Sequence, residues 1–282
     1  MHDFILIGSG PAGISAALSA RARGLDFLWF GNPALSPKIE KAERIVNYPG
    51  LSAVTGREIQ QAFLAQIAAQ ELEILPRRIH TVFPMGNGFM ACAQDEAYEA
   101  KALILATGVS GTREIPGENR LLGRGVSYCA TCDGELYRNK DIAVVCTDPA
   151  LEEDLVFLAK LARTLYLFCT YETEVSGEHI RRLKKYPSAV LGDSFVKAIC
   201  CEEEEIPVDA LFCLRPCVLP GALLAGLEVK DGHIAVDRMQ CTNIPGCFAA
   251  GDCTGRPYQY AKAVGEGNVA LHSVLRYLAA QK

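Results

Sequence analysis

The chain has 282 residues, 50% of them hydrophobic and 22% charged, enough for a sizeable buried core and for two domains. Its 28 Lys and Arg stand against 33 Asp and Glu, a net charge of −5 that argues against a nucleic-acid partner, and charge interrupts its apolar runs before the length of a membrane span. Twelve cysteines without a visible secretory signal point to a reducing, cytoplasmic setting rather than to a disulfide framework.

Residues 3–30 read as strand, tight turn, helix and strand. Phe4-Ile5-Leu6-Ile7 is the continuous apolar run that a parallel strand covered on both faces requires, and Gly8-Ser9-Gly10-Pro11-Ala12-Gly13 follows at once. A helix through Ile14-Ser15-Ala16-Ala17-Leu18 comes next. In that setting Gly8 makes the turn, Gly10 lets a pyrophosphate approach the backbone, and Gly13 permits close helix packing. The second strand, Phe27-Leu28-Trp29-Phe30, ends in Gly31-Asn32, where an acidic residue ordinarily holds a ribose hydroxyl. Asn32 can take that contact by hydrogen bonding.

Pro33, Pro37 and Asn47-Tyr48-Pro49-Gly50 carry turn signals. Ile59, Phe63 and Ile67 lie on one face of a helix expected from about Thr55 to Gln70, and strands with a turn at Gly86-Asn87-Gly88 follow. Ala102 to Ala106 reads as another buried parallel strand ending at Thr107-Gly108, where open α/β sheets bind ligands. Glycine and proline from Arg113 to Gly125 suggest a linker.

Just beyond lies Cys129-Ala130-Thr131-Cys132-Asp133. Two thiols at C-x-x-C spacing with a neighbouring carboxyl can make and break a disulfide with control of the proton. A second strand-helix-strand unit then echoes residues 3–30: Ile142 to Val145, Ala150 to Leu161, Leu165 to Phe168. Its turn, however, reads Cys146-Thr147-Asp148-Pro149-Ala150, and no glycine occurs between Gly134 and Gly177. Backbone bearing Cβ atoms keeps a pyrophosphate away, and Asp148 repels it. Cys169-Thr170-Tyr171-Glu172 offers no arginine for a 2′-phosphate. A dismantled second nucleotide site is the expectation.

Further on, His179 to Tyr186 reads as a basic helical segment with Arg181, Arg182, Lys184 and Lys185, and Asp231-Gly232 as a hairpin turn. The stretch Gly246 to Cys253 delivers Asp252 to the entrance of a helix running from about Gln259 to Leu278, where its oxygens can accept from sugar hydroxyls. Cys241, Cys247 and Cys253 fit no standard ligand spacing, and Cys213 with Cys217 reads as packing, so no metal site is expected.

Taken in order, Gly8 to Gly13, Asn47-Tyr48-Pro49-Gly50, Ala106-Thr107-Gly108, Gly123-Arg124-Gly125-Val126-Ser127 before the cysteine pair, and Gly251-Asp252 resemble the low-molecular-weight thioredoxin reductases over nearly the whole chain. The resemblance implies an α/β protein of two Rossmann-like three-layer domains: an FAD domain from 1–110 and 234–282, and an inserted redox domain over 111–233 that is NADPH-domain-like but lacks the nucleotide motif. It implies a cytoplasmic homodimer with thioredoxin as partner. FAD would be held by Gly8, Gly10, Pro11, Ala12, Gly13, Gly31, Asn32, Asn47, Thr107, Gly108, Gly251, Asp252, Gln259, Tyr260 and Ala261, while Tyr258 stands where an arginine is usual. By the same analogy Cys132 faces the flavin, Cys129 attacks the thioredoxin disulfide, and Asp133 handles the proton.

Lacking the second glycine motif and the arginines, the chain is similar to the ferredoxin-dependent flavin thioredoxin reductases of the same fold. A ferredoxin near about −400 mV feeding a thioredoxin near about −270 mV has about 130 mV in hand, roughly 6 kcal/mol for two electrons. Arg181, Arg182, Lys184 and Lys185 are a candidate docking patch for an acidic ferredoxin. Other readings stay open: an NADPH-independent flavin dithiol oxidase using O2, an NAD(P)H-dependent thioredoxin reductase with an atypical site, and a non-catalytic redox-sensing flavoprotein.

Overall fold

The computed structural model describes residues 1–40, 42–93, 96–109, 114–202, 204–215 and 220–281. In chain order the elements are β1 (His2–Ile7), α1 (Pro11–Arg21), β2 (Phe27–Phe30), α2 (Pro37–Glu40), α3 (Gly56–Ala69), β3 (Thr81–Met85), β4 (Gly88–Ala93), β5 (Glu96–Leu105), β6 (Val126–Ser127), α4 (Ala130–Asp133), β7 (Asp141–Cys146) and α5 (Glu152–Leu161). There follow β8 (Thr164–Cys169), β9 (Ile180–Arg182), β10 (Ala189–Leu191), β11 (Ala198–Cys201), β12 (Glu204–Pro207), β13 (Ala210–Leu214), α6 (Pro220–Leu223), β14 (Val229–Lys230), β15 (His233–Ile234), β16 (Cys247–Ala249) and α7 (Tyr260–Ala280). The chain divides into two compact units, Met1–Val109 with Leu223–Lys282, and Ser110–Ala222.

In the first unit β1 pairs in parallel with β2 on one edge and with β5 on the other. Strand β5 serves two partners on its far edge: its N-terminal half runs antiparallel to β4, and Leu103 to Leu105 run parallel to β16. Residues Phe4, Leu6 and Ile104 of this sheet are fully buried, with Ala16, Ala17 and Ala20 of α1 and Ala270, Leu271 and Val274 of α7 in the same core. Small side chains on α1 let α7 come close: a Cβ on Gly267 would stand 2.1 Å from Ala12 O. Helix α3 begins at a capping box in which Glu58 N–H donates to Thr55 Oγ1 (3.3 Å) and Thr55 N–H to Glu58 Oε2 (2.7 Å).

The second unit has a five-stranded parallel sheet in the order β6-β13-β7-β8-β9 and an antiparallel sheet β10-β11-β12. Leu155, Leu158 and Ala159 of α5 pack on Ile142, Val144, Leu165 and Leu167. Unbroken apolar runs in β7 and β13 suit strands with both faces covered.

Two expectations are corrected. The basic stretch from His179 is strand β9 and a following loop rather than helix, because Ile180 and Arg182 join the edge of the parallel sheet beside β8. The expected linker, so far as it is described, belongs to the second unit: Ile115, Glu118 and Leu121 are fully buried, and Val190 N–H donates to Pro116 O (2.8 Å). Arg113 and the boundary at 110/111 lie outside the described residues. The second stretch of the first unit begins at Leu223: Leu224 bridges Val82, and the 229–234 hairpin places His233 against Tyr258. That hairpin turns at Asp231-Gly232 with both residues at positive φ, as a two-residue turn requires. Among the described residues no helix is long and apolar enough to cross a membrane.

Candidate functional site: a nucleotide cradle and a dithiol

The first unit builds its cradle where β1 meets α1. Gly8 sits at φ +120°, and a Cβ there would stand 2.1 Å from Ala106 O, so only glycine fits the turn. Gly8 N–H donates to Phe30 O (2.8 Å), and Trp29 Nε1–H donates to Gly8 O (2.9 Å), tying the turn to β2. Gly10 is the N-cap of α1, offers no side chain to the helix, and faces open space where a Cβ would be. Pro11 occupies the first helical turn, where its missing N–H costs nothing. The N–H groups of that turn are thus free for an anion.

Around this mouth the structure gathers several of the expected residues. A Cβ on Gly31 would meet Ser9 at 2.8 Å, and Ser9 Oγ donates to Asn32 O (2.9 Å). Asn32 Oδ1 accepts from Ala34 N–H (2.9 Å), leaving its amide N–H groups as the donors for a sugar. Gly251, at φ +89°, abuts Ala12 so closely that a Cβ would lie 2.9 Å from that methyl. Asp252 follows it, half-buried; burial pushes its carboxyl up while Lys38 and Lys262 pull it down. Lys262 Nζ donates to Gly251 O (2.9 Å) and Gly255 O (2.7 Å), and Lys38 Nζ to Val109 O. Gln259 is the N-cap of α7 without a capping bond, so the first N–H groups there, near Tyr260 and Ala261, are also unclaimed by a cap. Thr107 and Gly108 follow β5, Gly108 at φ +66°. Asn47 is exposed in the loop closed by the Ile45–Val54 bridge.

The second unit carries the dithiol, present as a Cys129–Cys132 disulfide with Cα atoms 5.3 Å apart. Cys129 precedes the short α4 as its N-cap, and its Sγ accepts from Cys132 N–H (3.2 Å). Ser127 Oγ donates to Asp133 Oδ2 (2.6 Å) and accepts from Cys129 N–H (3.1 Å), linking the carboxylate to the disulfide backbone. Cys129 is only 5% exposed, whereas Cys132 is exposed. Thiols elsewhere are held protonated by burial: Cys146 and Cys253 are pushed up to about 11, and Cys247 to about 12. Cys217 lies outside the described residues.

The turn after β7 contrasts with the one after β1. Asp148 Oδ1 accepts from Ala150 N–H (3.1 Å), and Pro149 fills the next position. The first turn of α5 then carries Glu152, Glu153 and Asp154. Glu152 accepts from Tyr171 OH (2.6 Å) and from Thr173 Oγ1, and Cys146 Sγ lies 3.1 Å from Tyr171 OH. A cavity of about 570 Å³ beside α5 is lined by Glu152, Glu172 and Glu174 together with Lys160 and His179.

The pyridine nucleotide-disulphide oxidoreductase family model matches residues 2–146 and 182–267. The thioredoxin reductase of Helicobacter pylori is 32% identical over 308 residues, spanning 99% of this chain and 99% of that one. This chain belongs to the pyridine nucleotide-disulphide oxidoreductases, in their thioredoxin reductase branch. A solved ferredoxin-flavin thioredoxin reductase from Clostridium acetobutylicum is 40% identical with a TM-score of 0.85, covering 99% of this chain and 98% of its own. An atypical thioredoxin reductase from Desulfovibrio vulgaris Hildenborough is 29% identical with a TM-score of 0.71, covering 100% and 99%.

As a thioredoxin reductase-like oxidoreductase the protein is an FAD flavoprotein. The cradle fits that cofactor: an uncapped α1, open space before Gly10 and glycines where Cβ atoms would collide are what a dinucleotide pyrophosphate needs. Replacing Gly13 by Ala sets a methyl 2.0 Å from Gly8 O. The expected result is a loss of about tenfold or more in FAD affinity, from about 1–3 kcal/mol of overpacking. Flavin absorbance per protein after gel filtration checks it, and full flavin content would refute it.

Ser127, Glu118, Tyr128 and Arg215 escaped the sequence reading as site residues. Ser127 sits two residues before the first cysteine and could have been found as a hydroxyl beside a C-x-x-C pair. Glu118 and Arg215 have no local signal, since their partnership spans 97 positions.

Proposed function

We propose that the protein is a ferredoxin-dependent flavin thioredoxin reductase, passing electrons from reduced ferredoxin through FAD and the Cys129/Cys132 pair to the thioredoxin disulfide. One observation carries the choice of donor: in the turn after β7, where NADPH phosphates would sit, Asp148 accepts from Ala150 N–H, Pro149 offers no N–H, and α5 opens with three acidic residues. An anion there meets the like charge of Asp148, Glu152, Glu153 and Asp154. The likeness to the ferredoxin-flavin enzyme of Clostridium acetobutylicum supports the same reading. The proposal includes a cytoplasmic homodimer.

Bound FAD supplies a centre that takes electrons singly and yields them as a pair. The chain does the rest. Cys132 N–H, directed at Cys129 Sγ, favours the thiolate at Cys129 once the disulfide opens, which suits that sulfur to attack thioredoxin. Cys129 is buried in this conformation, so it must first become accessible. Asp133, steadied by Ser127, is placed next to Cys132 to carry a proton. Two reduced ferredoxins and two protons thereby convert one thioredoxin disulfide into two thiols.

For docking, Arg181, Arg182, Lys184 and Lys185 remain the proposed basic face. All four are exposed, although Arg182 also ties Thr173 O and Val175 O, and Lys185 pairs with Glu202 at 3.2 Å. The test is a titration of the yellow protein. Reduced ferredoxin should bleach the flavin band and yield thioredoxin thiols at a rate that falls with salt. NADPH should leave the band unchanged, and rapid bleaching by micromolar NADPH would sink the proposal.

A further inference from the structure

Glu118 has no part in the chemistry above, yet its side chain and that of Arg215 are both wholly shielded from solvent. Arg215 Nη1 donates to Glu118 Oε1 (2.8 Å) and Nη2 to Oε2 (3.0 Å), a two-pronged pair. The same carboxylate accepts Ile115 N–H at Oε2 (2.8 Å) and the hydroxyl of Tyr128 at Oε1. Because desolvation offsets most of its attraction, a buried pair adds little net stability over apolar side chains, so its presence calls for a different reason.

That reason is geometric. Ile115 lies soon after the chain reaches this unit, Arg215 lies shortly before it leaves, and Tyr128 immediately precedes Cys129. One carboxylate fixes all three segments against each other. Ser127 ends β6, and Tyr128 lies at the bend that follows it. The approach to the disulfide is therefore tethered twice, by Ser127 to Asp133 and by Tyr128 to Glu118.

We propose that Glu118, itself held by Arg215, is a positioning residue for the Cys129–Cys132 couple, acting through the Tyr128 hydroxyl. The tether keeps Cys129 where its sulfur meets that of Cys132. Without it the effective concentration of one thiol at the other falls, and the equilibrium between disulfide, two electrons and two protons on one side and dithiol on the other moves toward the dithiol. The inference rests on Cys129 and Cys132 being the working couple.

Tyr128→Phe removes the hydroxyl alone. Poised in oxidised and reduced dithiothreitol, this variant should show an equilibrium constant shifted about tenfold toward the dithiol, about 30 mV. Ile142→Val, in the buried sheet of the same unit, should lower Tm while leaving that constant unchanged. A constant for Tyr128→Phe within twofold of wild type, or an equal shift in Ile142→Val, overturns the proposal. Since the poise needs neither ferredoxin nor thioredoxin, failure of ferredoxin-driven turnover in the wild type would defeat the proposed function and leave this measurement standing.

Discussion

Cys129→Ser is expected to lower thioredoxin reduction by on the order of a thousandfold or more, because a hydroxyl at that position can neither close the disulfide nor supply a thiolate near neutral pH. Cys132→Ser should be as severe, for the pair works as one unit. Neither change touches the cradle at Gly8 to Gly13, which belongs to the other compact unit, so the visible flavin spectrum should persist in both variants. The measurement is thioredoxin thiol release under reduced ferredoxin, followed beside flavin absorbance. Turnover by Cys129→Ser within tenfold of wild type would remove the dithiol from the electron path and leave a flavoprotein that acts in some other way.

Arg215→Ala is expected to cost about 3–5 kcal/mol of stability, since it leaves the Glu118 carboxylate buried without its counter-charge. Removing both charges is milder: Glu118→Leu with Arg215→Met should recover part of the loss, because desolvation of two charges is then no longer required, while Ile115 N–H and the Tyr128 hydroxyl still lose their acceptor. Urea unfolding of the two proteins, compared at their midpoints, checks the pair of statements. A loss below about 1 kcal/mol in Arg215→Ala would mean that the site admits water to the carboxylate.

The same ion pair shows why the segment from 113 to 125 reads wrongly as a linker. Pro116, Gly117, Gly123 and Gly125 are turn residues by composition, and turn residues commonly mark surfaces. Here Gly117 is needed because a Cβ would stand 2.3 Å from Val190 O, and Gly125 because a Cβ would press on Val196 at 2.7 Å. Both glycines serve close packing, which composition cannot distinguish from looseness. The basic stretch at Arg181 and Arg182 fails for a related reason: a three-residue strand is set by its neighbour β8 rather than by its own periodicity.

By itself the sequence determined whatever depends on neighbours along the chain. The β1–α1 glycines, the Cys129–Asp133 pentapeptide, the capping box at Thr55 and the glycine-free turn after β7 are local patterns, because backbone clearance, helix capping and thiol spacing act over a few residues. Tertiary structure alone decided that Gly251 and Gly267 close on Ala12, and that Glu118 joins Tyr128 and Arg215. Those contacts depend on which distant segments the sheets and helices bring within hydrogen-bond or van der Waals reach, and a charge pair 97 positions apart has no period or spacing to announce it.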